Sequence, residues 1–120
     1  MNAPSKATRE LVCERDRQCC VACGRYVGDG FTWWSLQHRV ARGVGGGNGP
    51  ENLLVLCGSA TSRGCHRTAE DRDAVSHARG YWLRSDEDPA LVPVEHVLHG
   101  RVWLLGDGTV SREMPAAVAS

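Results

Sequence analysis

Three groups of residues in this chain have the types and spacing to do chemistry. Cys20 and Cys23 in "CCVACG" form a C-x2-C pair, and Cys57 and Cys65 in "CGSATSRGCH" form a second, looser pair with seven residues between them. Four thiolates suit one tetrahedral zinc; buried free thiols or disulfides are the alternative. Cys13 reads as a small core residue, and Cys19 could replace Cys20, although the two-residue spacing favours Cys20. His66 and Glu70 are four apart in a stretch of helical character, so both side chains leave one helix face and can reach the same ion. An ordinary i,i+4 contact is the other reading of that pair. His38 precedes "ARGVGGGNGP", and an imidazole with an ordinary pKa near ~6.5 can act as a general base at neutral pH. Its bland alternative is a histidine that caps a turn.

These residues need elements to hold them. "SKATRELVCERDR" predicts a short helix with Ser5 or Thr8 as its cap, leading into the first cysteine pair. "FTWWSLQHRV", with Phe31, Trp33, Leu36 and Val40 nearly alternating, predicts a strand that carries His38. Of Trp33 and Trp34, at least one is expected to be buried. The loop that follows has five Gly and one Pro in ten residues and cannot be regular. "ENLLVLC" then returns the chain to the second cysteine pair as a buried strand or half-turn, and "HRTAEDRDAVSHARGYW" predicts one helix ending near Gly80. Beyond Ser85, "VPVEHVLH" and "RVWLLGD" predict a β-hairpin appendage over residues 86–113, and 114–120 a disordered tail. Residues 1–14 are a helical lead-in. His77, His96 and His99 have no partner pattern.

Composition bounds the rest. A chain of 120 residues is one small domain, and one Phe, two Tyr, 14 Gly and 5 Pro leave little for a large apolar core, so a metal staple is expected. No run of about 18 apolar residues occurs and "MNAPSKATRE" has no apolar core of a leader, so neither a membrane span nor export is indicated and a cytoplasmic location is expected. The formal net charge of zero hides an asymmetry: residues 1–85 hold 12 basic and 8 acidic side chains, and residues 86–120 hold 2 and 6. The front is only mildly positive, so nucleic-acid contact would have to come from local clusters. Candidates are Arg39 and Arg42 beside His38, and Arg63, Arg67, Arg72 and Arg79 around the helix after Cys65.

With "QHR", "ENLLVLC" and "CH" in this order, residues 15–84 resemble an HNH endonuclease, particularly the small cysteine-bearing type encoded by bacteriophages of actinobacteria. The resemblance implies an α+β fold in which a small ββα-metal core over 15–85 is stapled by a four-cysteine zinc site. It implies His38, Asn52 and His66 as the catalytic positions, with His38 the general base. The catalytic metal, Mg²⁺, Mn²⁺ or Ni²⁺, would be held by His66, Glu70 and Gln37. Many members of the family have Asp or His where this chain has Gln37, and an amide oxygen is the weaker ligand. Asn52 would either bond the backbone of the glycine loop and so orient His38, or touch the ion. DNA is the implied partner, held at its phosphates by Arg39 and Arg42. A place in phage genome packaging beside terminase and portal, in the host cytoplasm, follows from the resemblance alone. The competing expectation is a noncatalytic zinc-ribbon DNA-binding or packaging adaptor protein, or an inactive relative of the family.

Overall fold

Ser5 opens the first helix by accepting a hydrogen bond from the Thr8 amide at 3.1 Å, and α1 runs over Lys6–Arg15. The computed structural model describes residues 3–58 and 64–115. Arg17 and Gln18, both at φ 53°, turn the chain out of α1 toward the first cysteine pair.

β1 (Trp34–His38) and β2 (Leu53–Cys57) pair antiparallel, with Trp34 opposite Cys57 and His38 opposite Leu53. The strand expected from Phe31 starts only at Trp34, and the reason is local. The Asp29 carboxylate accepts from the amides of Phe31 and Thr32 and from the Thr32 hydroxyl, which folds residues 29–32 into a turn. Trp34 packs half-buried against the core, and Trp33 stays 74% exposed. All five residues of β2 are buried, as an uninterrupted apolar run predicts for a strand covered on both faces.

The single helix expected after Cys65 is two. α2 spans Cys65–Glu70 and α3 spans Ala74–Ala78. Arg72 takes a left-handed φ of 57°, and the Asp73 carboxylate accepts from the Ser76 amide, so the chain stops and is capped afresh. Gly80, at φ 84°, ends α3 near the expected place.

The C-terminal segment forms three strands where two were expected: β3 (Val94–His96), β4 (Gly100–Leu104) and β5 (Val110–Ser111), in the order β3-β4-β5. It does not stand apart. Val94, Val102 and Leu104 share one apolar cluster with Val12, Val21, Val27, Tyr81 and β2. The disordered stretch expected over 114–120 falls, from 116 onward, outside the described residues. Among the described residues no helix is long and apolar enough to cross a membrane.

Two buried charged groups lock this small α+β domain. Asp16, fully buried, accepts from the Arg15 guanidinium at 2.8 and 3.0 Å, from the Val55 amide at 3.0 Å and from Nε2 of His96 at 2.8 Å. The Leu98 amide donates to Nδ1 of His96, and His99 Nε2 donates to the Arg15 carbonyl. One knot therefore joins α1, β2 and β3, and His96 and His99, which had no expected partner, are part of it.

Arg39 is the second lock, and it corrects an expectation. It is 1% exposed, and its guanidinium donates to the carbonyls of Gly80, Glu51, Pro89 and Val92 at 2.7–2.9 Å. These donors serve the fold, and the buried guanidinium is turned to backbone carbonyls and away from the surface a phosphate would approach. Burial pulls its pKa down to about 9, which still leaves the side chain charged at neutral pH.

Candidate active site and cysteine cluster

The cysteine cluster forms where the first turn after α1 meets the ends of β2 and α2. The Sγ atoms of Cys20, Cys23, Cys57 and Cys65 all lie within 4.8 Å of one another, a donor set that can hold a structural ion such as zinc. The amide of Cys65 points at Cys57 Sγ from 3.5 Å, and Gly24, at φ 81°, turns the chain after Cys23. Sulfurs this close cannot all ionise by themselves. A hydrogen bond from Cys65 pulls Cys20 down to about 5, and the same bond pushes Cys65 up. A divalent cation removes the conflict, because all four can then be thiolates. Cys19 stands outside the cluster with its thiol on the Arg17 carbonyl, and Cys13 packs half-buried against the core. The sequence reading of all six cysteines therefore matches their positions.

A cleft of ≈ 620 Å³ is lined by His38, Arg42, His66 and Glu70, together with Arg9 and Trp34. β1 supplies His38, the loop supplies Arg42, and α2 supplies the other pair. His66 is largely buried, and its Nε2 lies 3.6 Å from Glu70 Oε1, the two meeting one helical turn apart as their spacing requires. Glu70 is the only acidic side chain among the described residues lining the cleft.

Gln37 and Glu70 meet in a smaller cavity of ≈ 140 Å³ that also borders His38. Gln37 is 3% exposed; its Nε2 donates to the Tyr81 carbonyl at 3.3 Å, and its buried Oε1 has no hydrogen-bond partner among the described residues. An orphaned buried amide oxygen costs stability. Beside an imidazole and a carboxylate it is also the kind of atom a hard cation can use. An amide oxygen, an imidazole and a carboxylate are donor types that suit a divalent ion, and Glu70 borders both the cleft with His66 and the cavity with Gln37.

Asn52 and Asn48 fix the loop between the strands. Asn52 Oδ1 accepts from the Val40 amide at 2.8 Å, and its Nδ2 donates to the carbonyls of Val40 at 3.0 Å and Gly47 at 2.9 Å. Its side chain clamps both arms of the glycine-rich loop, the loop-holding role of the two considered. Gly46 sits in the bend, where a Cβ would meet the Val40 carbonyl oxygen. The loop then presents Asn48, whose Oδ1 lies 2.8 Å from His38 Nε2. An amide oxygen can only accept, so Nε2 carries hydrogen and the lone pair of the neutral ring sits on Nδ1. Sequence reasoning passed over Asn48. Its only signal was a side chain with an acceptor inside a run of glycines near the candidate base.

The remaining candidates are dispersed. Arg67 pairs with Asp71 at 3.4 Å on the surface, Arg72 lies over the Trp82 ring at 4.9 Å, and Arg63 is outside the described residues. His77 is not a bare surface histidine: its Nε2 is 2.7 Å from Glu87 and its ring packs against Trp82. Compared with protein-family models, curated proteins and solved structures, the chain matches none.

Proposed function

We propose that this chain is a divalent-metal-dependent endonuclease of the HNH type, in which β1, the glycine loop, β2 and α2 form a ββα-metal core that hydrolyses DNA phosphodiesters. One observation supports this most directly. His38, fixed at Nε2 by Asn48, shares its cleft with His66 and Glu70, and a buried amide oxygen of Gln37 borders the same place. That combination supports a reading in which His38 Nδ1 acts as the base beside His66, Glu70 and Gln37 as ligands of a hard cation.

In this reading His38 Nδ1 takes the proton of a water as its oxygen attacks phosphorus, and the bond from phosphorus to the 3′ oxygen breaks on the opposite side. A Mg²⁺, Mn²⁺ or Ni²⁺ ion held by Gln37, His66 and Glu70 would supply Lewis-acid stabilisation of the charge that develops on the leaving oxygen. Asn48 keeps the ring in the required tautomer, Asn52 keeps the loop that presents Asn48 in place, and Arg42 at the rim meets the substrate phosphates. The cysteine cluster anchors β2 and α2, so a bound zinc would set the position of His66 without entering the reaction. A cleft with one base cuts one strand at a time. Participation in phage genome packaging, beside terminase and portal, is the biological setting that goes with this proposal.

Plasmid nicking with Mg²⁺, Mn²⁺ or Ni²⁺ tests it, using the wild type and His38→Ala. Nicked circles are expected from the wild type, with a loss of at least a hundredfold in the variant. If zinc-loaded wild type cuts with none of the three ions, or the alanine variant cuts as fast, the nuclease assignment is wrong and a noncatalytic zinc-ribbon role takes its place.

A further inference from the structure

The first helix contributes more than a lead-in to the fold. Ala3, Pro4 and Arg9 line the same cleft as His38 and His66, so the N-terminal segment forms one of its walls. Arg9 is exposed, and its guanidinium carbon lies 5.9 Å from the centroid of the Trp34 ring, which is itself half-buried against the core. No carboxylate forms a salt bridge with Arg9 among the described residues. A guanidinium held over an aromatic ring at cation–π range keeps N–H donors that can grip a phosphate with two hydrogen bonds. Its position is set in advance by a ring, so less side-chain freedom is lost on binding.

We propose that Arg9, seated on Trp34, is a phosphate-binding residue of this cleft, contacting the DNA backbone beside the scissile phosphodiester. This deepens the nuclease reading and rests on it for the identity of the ligand. It also supplies the cation that Arg39, turned inward, does not.

The test is binding without cleavage: anisotropy of a fluorescein-labelled DNA duplex, in EDTA and in Ca²⁺, over a salt series, with zinc content and melting temperature checked for each variant. Arg9→Ala is expected to weaken binding about three- to tenfold at low salt and to lower the magnitude of the log–log salt slope by ~0.9, as loss of one phosphate contact requires. Arg101→Ala, on β4 where Arg101 pairs with Glu95, is expected to do neither. Trp34→Phe should keep wild-type binding, whereas Trp34→Leu should weaken it in the wild type and add nothing in the Arg9→Ala background.

Wild-type affinity and slope in Arg9→Ala would overturn the proposal. Equal losses from Trp34→Leu with and without Arg9 would overturn the seating. If the wild type binds no duplex, this inference falls together with the nuclease assignment. If it binds but never cuts, and Arg9→Ala still weakens binding, the phosphate contact stands and only the catalytic assignment falls.

Discussion

His38 and Asn48 are joined across the glycine-rich loop by a 2.8 Å contact between Nε2 and Oδ1. The amide oxygen orients the ring through a neutral hydrogen bond. Asn48→Ala should lower kcat about ten- to a hundredfold with little change in KM, because the base remains but its orientation is lost. Asn48→Asp should recover part of the rate while moving the acidic limb of the pH profile to higher pH, since a carboxylate favours imidazolium. Nitrogen NMR of the imidazoles reads the tautomer independently of turnover. An unchanged His38 spectrum and pH profile in both variants would remove Asn48 from the mechanism.

Gln37 sets a different balance. Its Oε1 is buried without a partner among the described residues, and its Nε2 donates to Tyr81. Gln37→Glu keeps the reach and replaces a neutral oxygen by a charged one, so the half-saturating Mg²⁺ or Mn²⁺ concentration for cleavage should fall by about tenfold. Without the ion the same variant should be less stable by ~1–2 kcal/mol, because the bond to the Tyr81 carbonyl is lost. Thermal melts with and without Mn²⁺ measure both effects, and the metal-induced rise in melting temperature should be larger in the variant. An identical metal dependence in the two proteins would show that Gln37 is not a ligand.

What could be read from the sequence was local. The thiols at 20, 23, 57 and 65 are legible because few roles suit paired cysteines in a chain with little apolar bulk, and β2 is legible because five consecutive apolar residues seldom face water. The helix break was also present, in Asp73 followed by Ser76, but the helical pattern on either side outweighed a cap signal of one residue. Arg39 was illegible for another reason. Its partners are backbone carbonyls at 51, 80, 89 and 92, and a carbonyl leaves no trace in residue type. His96 reaches Asp16 across 80 positions, so no window along the chain contains both. Asn48 was hidden by its surroundings, because a glycine-rich loop looks like an absence of structure until Asn52 is seen clamping both its arms.

The cysteine cluster predicts a metal content that separates its members from its neighbours. Purified protein should carry one zinc per chain. Cys57→Ala should abolish it, whereas Cys13→Ser and Cys19→Ser should retain it, since neither thiol belongs to the set of four. A structural zinc contributes ~10 kcal/mol or more in small domains, comparable with the whole stability of ~5–15 kcal/mol expected for a domain of this kind. Cys57→Ala should therefore be largely unfolded at about 25 °C by circular dichroism. A folded, zinc-free Cys57→Ala protein would mean that the apolar core suffices alone.

Asp16 predicts how the fold responds to acid. Burial by itself would raise its pKa, but the hydrogen bonds from His96 and Arg15 and the Arg15 charge outweigh burial and hold it below the ordinary carboxylate value. A folded-state pKa below the unfolded one, ~3.9, contributes stability that is fully present above about pH 4–5. That contribution is lost as pH falls through the folded value. Asp16 is the carboxylate paired with the buried Arg15 guanidinium. Asp16→Asn leaves Arg15 buried without its counter-charge, which should cost about 3–5 kcal/mol at pH 7. The gap should narrow as pH falls below the unfolded value, where the contribution of the wild-type carboxylate is being lost. Urea unfolding at pH steps from 7 to 3 measures both curves. Parallel curves, with the same gap at pH 3 as at pH 7, would show that the charge of Asp16 is not what holds α1, β2 and β3 together.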